Sequence, residues 1–285
     1  MANDYGYRIV SSDFLANYSS ANPITRSNGQ FSRYLANDFF MAATKTAQSK
    51  LTAATIPKLI AKGYVRGNRA NANGGSVYAR KVTASTIGSL TYFNKDDLTD
   101  SSPDIVSAID KEAVFACIDR LIKSILIGEV DDVDEKENII PVVKDTDQIF
   151  STITNLNVES SLAAFTNDFL PNYEGSGNCW LIANPKYVSA LISTASKEIK
   201  IHGFKDLAET FFCNDAYFIP SSMLQDNIIA IAVDPSDYIL GLPDYMNPFY
   251  TNEVFDMEEN LVKKLTTIKV CGELAGKHVA WVLKK

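Results

Sequence analysis

Trp180-Leu181-Ile182-Ala183-Asn184-Pro185-Lys186-Tyr187-Val188-Ser189-Ala190-Leu191 sets an apolar run directly against a helix start. Unbroken apolar character over Trp180 to Ala183 suits a strand buried on both faces. Asn184 has the side chain of a helix N-cap, and Pro185 comes next at the first helical position, where a missing N–H leaves no bond unmade. Val188, Leu191 and Ile192 then recur at helical spacing, so Asn178–Ala183 predicts a strand that opens a helix. Downstream, Ile228 to Val233 (IIAIAV) is a second strand of the doubly buried kind. Thr267–Cys271 and His278–Leu283 are expected to pair as a final strand couple around Gly272 and Gly276. From Asn178 onward the chain reads as α/β.

Upstream, Ile105, Ile109, Val114, Ile118, Leu121, Ile122 and Ile125 recur at three- and four-residue steps, with Gly128 as a C-cap. This predicts a helix over 104–127, although Val114–Ile118 also suits a returning strand. Asp145 and Asp147 are placed to cap a helix through Ile149, Ile153 and Leu156. After Asn157 breaks that period, a further helix carries Leu162, Phe165 and Phe169 until Pro171. Phe31, Tyr34, Leu35, Phe39 and Ala42 predict an amphipathic helix over about 31–50, with Pro57 ending or redirecting the segment after it. Gly63–Arg66 and Ser76–Val82 read as strands, and Gly67 to Gly75 (GNRANANGG) between them is either a hairpin tip or a disordered surface loop. A strand is expected over Ser89–Phe93, with an acidic, Ser-rich turn at Asp96–Asp104. Residues 1–30, rich in Asn, Ser, Gly and Tyr, read as an arm that orders on a partner surface.

Charge divides the chain sharply. Between Asp38 and Asp96 stand nine basic residues (Lys45, Lys50, Lys58, Lys62, Arg66, Arg69, Arg80, Lys81 and Lys95) and no carboxylate. Residues 1–90 hold eleven basic and three acidic side chains, net +8, and the other 195 residues sixteen and thirty-one, net −15. A chain so divided is complementary to a second copy of itself, which points to assembly. The bases spread over helix, loop and strands with few aromatics between them, so sequence-specific nucleic-acid readout is not expected. With 46% apolar and 21% charged residues over 285 positions, the composition is globular, with one or two domains expected. Met1–Val10 is no signal peptide, and no apolar run is long enough for a bilayer, so a soluble, cytoplasmically made protein is expected.

Catalytic patterns are missing. His202 and His278 are far apart, with no HExxH. His278 reads as a hydrogen-bonded structural histidine in a strand, His202 as a solvated turn residue before Gly203. Gly175-Ser176-Gly177 precedes a strand and reads as a turn, not a nucleophile elbow. The acidic run Asp131, Asp132, Asp134, Glu135 and Glu137 lacks the glycine and terminal glutamate of a calcium loop and reads as a solvated linker. Cys117, Cys179, Cys213 and Cys271 show no CxxC and read as core residues. A Cys213–His202 nucleophile pair has no orienting group in the sequence. No catalytic residue, metal ligand or cofactor is therefore assigned.

The order of elements resembles the major capsid proteins of tailed bacteriophages, whose fold is shared with encapsulin shells. The carriers are the arm, the basic hairpin-like loop with its glycine-rich tip, the helical segments, Pro171-Asn172-Tyr173, the Trp180–Leu191 unit, and Phe218–Ser222 with Ile228–Asp234 after it. The resemblance implies an α+β fold with an N-terminal arm and helix (1–55), an extended β-hairpin loop (56–103), peripheral-domain helices (104–174), an axial domain (175–250) and C-terminal strands returning to the peripheral domain (251–285). The family has one long spine helix, whereas here the acidic 128–145 stretch divides the helical material. The resemblance implies a structural, non-enzymatic shell protein of hexamers and pentamers, forming an icosahedral head around double-stranded DNA. Arg66, Arg69, Gly74, Gly75, Arg80 and Lys81 would be loop contacts to a neighbour, and Trp180, Asn184 and Pro185 the axial signature. Portal, scaffolding and decoration proteins and non-specific DNA contact are implied as partners, with location in a virion built in the host cytoplasm. A separate scaffold is expected, because no acidic coiled-coil extension flanks Met1 or Lys285. The alternatives are an encapsulin-like compartment shell and an α/β enzyme using Cys213 or His202.

Overall fold

A computed structural model of the chain describes residues 7–10, 30–47, 53–59, 77–96, 103–128, 139–144, 149–152, 157–175, 177–194, 201, 203–219, 227–243, 248–274 and 278–285. The first half runs β1 (Tyr7–Val10), α1 (Gln30–Ala42), β2 (Thr44–Ala47), β3 (Ala53–Leu59), β4 (Val77–Thr83), β5 (Ser85–Asn94), α2 (Pro103–Leu126) and β6 (Ile149–Thr152). Next come α3 (Val158–Ala164), β7 (Trp180–Ala183), α4 (Pro185–Ser193), α5 (Phe204–Thr210) and β8 (Asp215–Phe218). The chain closes with β9 (Ile228–Val233), β10 (Tyr238–Leu242), β11 (Phe249–Asp256), β12 (Leu261–Leu274) and β13 (Ala280–Lys284).

Among the described strands there are three sheets. The first has the order β1-β11-β12-β10-β2, with β5 also paired to β12. Its axis is the 14-residue β12, whose first part lies between β5 and β11 and whose last part pairs with β10. Helix α2 covers one face. Its Ala113, Val114, Cys117, Ile118, Leu121, Ile122 and Ile125 are buried, while Glu112, Ala116 and Arg120 form an exposed stripe four residues apart. Gly128 closes the helix with φ +82, and its N–H donates to the Lys123 carbonyl at 3.1 Å.

The second sheet has the order β6-β13-β9-β7-β8 and lies between two cores. Trp180, Ile182, Ile231, Val233 and Val282 join a core with α1 and α2. Leu181, Ala183, Ile229, Ala232, Trp281 and Leu283 join another with Phe165, Phe169, Leu191, Leu207 and Phe211. Successive side chains on a strand point to opposite faces, so a layer covered twice needs unbroken apolar runs. The third sheet is the antiparallel ribbon β3–β4, registered from Ala53↔Thr83 to Leu59↔Val77.

Several expectations change. The first helix stops at Ala42, and Thr44–Ala47 joins β10 in parallel, with Thr44 Oγ1 donating to the Ser236 carbonyl at 2.6 Å. Pro57 lies inside β3 rather than ending it, which a two-stranded ribbon allows because both its strands are edges. The ribbon's first strand is thus Ala53–Leu59, while Gly63–Arg66 lies outside the described residues. Val114–Ile118 is wholly helical, so one uninterrupted helix of 24 residues precedes the acidic stretch. Ile149–Thr152 is a strand alongside β13 rather than a helix, and Asp145 and Asp147 lie outside the described residues. Thr267–Cys271 and the last strand do not pair: β12 stays in the first sheet, while β13 inserts between β6 and β9. His278 precedes β13 at φ +54 rather than lying in it, and among the described residues its buried Nδ1 has no hydrogen-bond partner.

Candidate functional site

Among the described residues, those singled out by sequence divide between the β3–β4 ribbon and the two ends of β7. Arg80 and Lys81 lie in β4, registered against Ile56 and Thr55. Arg66, Arg69, Gly74 and Gly75 lie outside the described residues, on the chain joining β3 to β4. The ribbon pairs with no other described strand, and it packs against β10 and β12.

Trp180 opens β7 and Asn184 follows its last residue, with Pro185 starting α4. Asn184 is 1% exposed, and its Oδ1 accepts the Lys186 N–H at 3.0 Å as the helix cap. Its Nδ2 donates to the Ile228 carbonyl at 3.2 Å, and its backbone N–H to that of Ile229 at 2.9 Å. One side chain thereby fixes both the start of α4 and the β7–β9 pairing. Trp180 packs its indole 4.7 Å from the Tyr217 ring and edge-on to Phe39 at 6.1 Å, joining β7 to β8 and α1. Tyr217 Oη donates to Asp38 Oδ2 at 3.1 Å. Burial raises the Asp38 carboxyl above its ordinary value, against which the Tyr217 bond acts.

Three further groups carry no signature in the sequence. Buried Asp234 accepts from the Asn178 N–H at 2.8 Å through Oδ2, and from Ser236 N–H and Oγ at 2.9 and 2.7 Å through Oδ1. Buried Lys264 on β12 faces α2, where its Nζ pairs with Asp110 Oδ1, and it reaches Glu253 Oε1 on β11 at 2.7 Å. On the sheet face away from α2, Leu90 stands opposite Leu265, and Tyr92 and Val254 flank Lys263, all these apolar groups being exposed. Met257 extends this surface at the β11–β12 turn, 84% exposed among Asp256, Glu258 and Glu259. The signal available was the alternation of β5, which puts Leu90 and Tyr92 opposite Ile87 and Phe93.

Among the described residues no three His, Cys, Asp or Glu side chains gather as metal ligands. No described helix is long and apolar enough to cross a membrane. Cys213 Sγ lies 3.6 Å from Cys179 Sγ, and His202 lies outside the described residues.

No protein-family model matches the chain, and no curated protein matches it. Its fold, however, is that of known shells. The capsid protein of an empty GTA particle superposes with a TM-score of 0.61 at 11% identity, over 97% of this chain and 99% of that one. A virus-like particle from Pyrococcus furiosus gives 0.58 at 14% identity, over 89% and 98% of the two chains. The satellite phage P4 procapsid gives 0.57 at 10% identity, over 89% and 96%. The chain therefore has the α+β fold of phage capsid proteins.

Proposed function

We propose that the chain is the major capsid protein of a tailed-phage head, a structural subunit that assembles as hexamers and pentamers into an icosahedral shell around double-stranded DNA. The carrying observation is likeness to capsid subunits over nearly the full length of both chains. In this reading the β3–β4 ribbon is the extended loop, α2 the spine of the peripheral domain, and the second sheet with α4 and α5 the axial domain. β6 and β13 belong to that axial sheet, so only part of 251–285 returns to the peripheral domain.

The contact chemistry comes from the charge division. Arg66, Arg69, Arg80 and Lys81 meet carboxylates of a neighbouring subunit, with Gly74 and Gly75 allowing a tight tip. The acidic turn Asp256–Glu259 has the matching charge: Lys263 already pairs with Asp256 at 2.8 Å and Glu259 at 3.5 Å, while Glu258 is exposed. The exposed Val254 and Tyr92 flank Lys263. Portal, scaffolding and decoration proteins and the inner DNA surface are partners of the same reading, as is location in the virion; no catalytic role is part of it. Likeness to the Pyrococcus furiosus particle supports a compartment shell as second reading. Particle contents separate the two, packaged DNA against protein cargo.

Exposed ion pairs contribute only about 0–1 kcal/mol each, so the test replaces two bases together. Arg66→Ala/Arg69→Ala should leave the thermal unfolding of the subunit unchanged and lower particle yield in sedimentation velocity. Particles at normal yield would count against the clamp.

A further inference from the structure

Two of the four cysteines meet at the edge of the second core. Cys179 precedes β7, Cys213 lies two residues before β8, and the parallel register Trp180↔Asp215 draws these strand starts together. The sulfurs are 3.6 Å apart, and both thiols are free and buried. Backbone bonds hold the juxtaposition: Asn214 N–H donates to the Cys179 carbonyl at 2.8 Å, and Cys213 N–H to that of Ala208 at 2.9 Å. Cys117 Sγ instead donates to the Thr266 carbonyl at 3.2 Å, and Cys271 lies 4.0 Å from that of Gly241.

The pair is one residue from solvent. Asn178 and Asn214 are exposed, and between Phe211 and Cys213 stands Phe212, 64% exposed and held at φ +54. A bulky side chain in the left-handed region stores backbone strain, so this turn opens at lower cost than the sheet behind it. Opening exposes Cys213 first. Cys213 directly follows Phe212 on that turn, whereas Cys179 stands just before β7, where its contact with Cys213 together with burial holds its thiol well above the ordinary value.

We propose that Cys179 and Cys213 are an intrachain disulfide site, closed by a small-molecule disulfide oxidant and stapling the start of β7 to the start of β8. The Cys213 thiolate attacks one sulfur of the oxidant, forming a mixed disulfide and releasing one small thiol. Cys179 gives up its proton and displaces the second small thiol. Two protein thiols are oxidised, one small disulfide is reduced to two thiols, and the two cysteine protons end on those products. The sulfurs must approach by about 1.5 Å to reach a bond of about 2.05 Å, a movement that falls on the Phe212 turn. The staple closes the chain that carries α4 and α5 and leaves the ribbon untouched.

The test uses the purified full-length chain, reduced, then exposed to glutathione disulfide at neutral pH under native conditions. Remaining thiols are capped with N-ethylmaleimide after denaturation, and intact mass and tryptic peptides are read. The site predicts two maleimide adducts rather than four, on Cys117 and Cys271, and a joined pair of peptides carrying Cys179 and Cys213. Cys213→Ser, with unchanged circular dichroism, should abolish the joined pair and restore a maleimide adduct on Cys179. Four adducts on the wild-type chain, a persistent glutathione adduct on Cys213, or a bond to another cysteine would each overturn the proposal. These readouts do not depend on assembly, so the shell reading and the disulfide fail separately.

Discussion

Asn184 carries a helix cap and a strand tie in a single side chain, so its loss should exceed that of a surface cap. Removing the cap costs about 0.5–2 kcal/mol, and leaving the buried Ile228 carbonyl one donor short adds about 1 kcal/mol. Asn184→Ala should therefore lower urea-unfolding stability by about 1.5–3 kcal/mol; a loss under about 0.5 kcal/mol would contradict the double role. Lys45 supplies a pH-dependent prediction. Burial brings its ammonium down to about 8 from 10.5, so between those values the folded chain holds fewer protons than the unfolded one and stability climbs with pH. Its Nζ is partly exposed and donates to the Met41 and Ala43 carbonyls at 3.1 and 3.2 Å, which reduces the effect. Measured against Lys45→Met to cancel other groups, the wild type should gain about 1–2 kcal/mol between about pH 7.5 and 10.5. A pH-independent difference would refute it. Asn184-Pro185 was legible in the sequence because cap chemistry is local. The Asp234 cap over Pro235 and Ser236 is equally local, but its tie to Asn178 is not, because Asn178 lies 56 residues away.

Elements were legible where one period governed them. α2 and β9 are read from helical steps and an unbroken apolar run. β6 is not, because Ile149 to Thr152 takes its conformation from its parallel partner β13. The last strands illustrate the same limit: both are apolar, but only the fold assigns them to different sheets. The tie between α2 and β12 is testable as an element contact. Lys264→Ala removes the buried cation that pairs with Asp110 and should cost about 3–5 kcal/mol, whereas Lys264→Met with Asp110→Leu should cost far less. Equal losses in the single and double variants, measured by denaturant unfolding, would show that packing rather than charge decides the contact. Gly272 sets how closely β10 approaches β12: an added Cβ would lie 2.5 Å from Tyr238 Cε1 and 3.1 Å from the Ile239 carbonyl. Gly272→Ala should destabilise by about 1–3 kcal/mol, read as a lowered unfolding midpoint; an unchanged midpoint would mean that the Tyr238 ring gives way freely.

At the scale of the whole molecule, the proposed reading assigns the division of charge between a basic ribbon region and an acidic body to contacts between neighbours. The sequence alone displayed it, because net charge is additive and needs no coordinates. The apolar patch of Leu90, Tyr92, Val254 and Leu265 required the sheet, since three separate strands contribute to it. Contacts between opposite charges weaken as salt screens them. Raising ionic strength from about 0.05 to 0.5 M should therefore shift the chain toward smaller species at fixed concentration; an unchanged size distribution would mean that apolar burial dominates the interface. The measurement that tests the central claim most directly is electron microscopy of the purified full-length chain across concentration and salt. The account predicts closed polyhedral or tubular particles built from hexameric and pentameric clusters; a monodisperse monomer under every condition would contradict it.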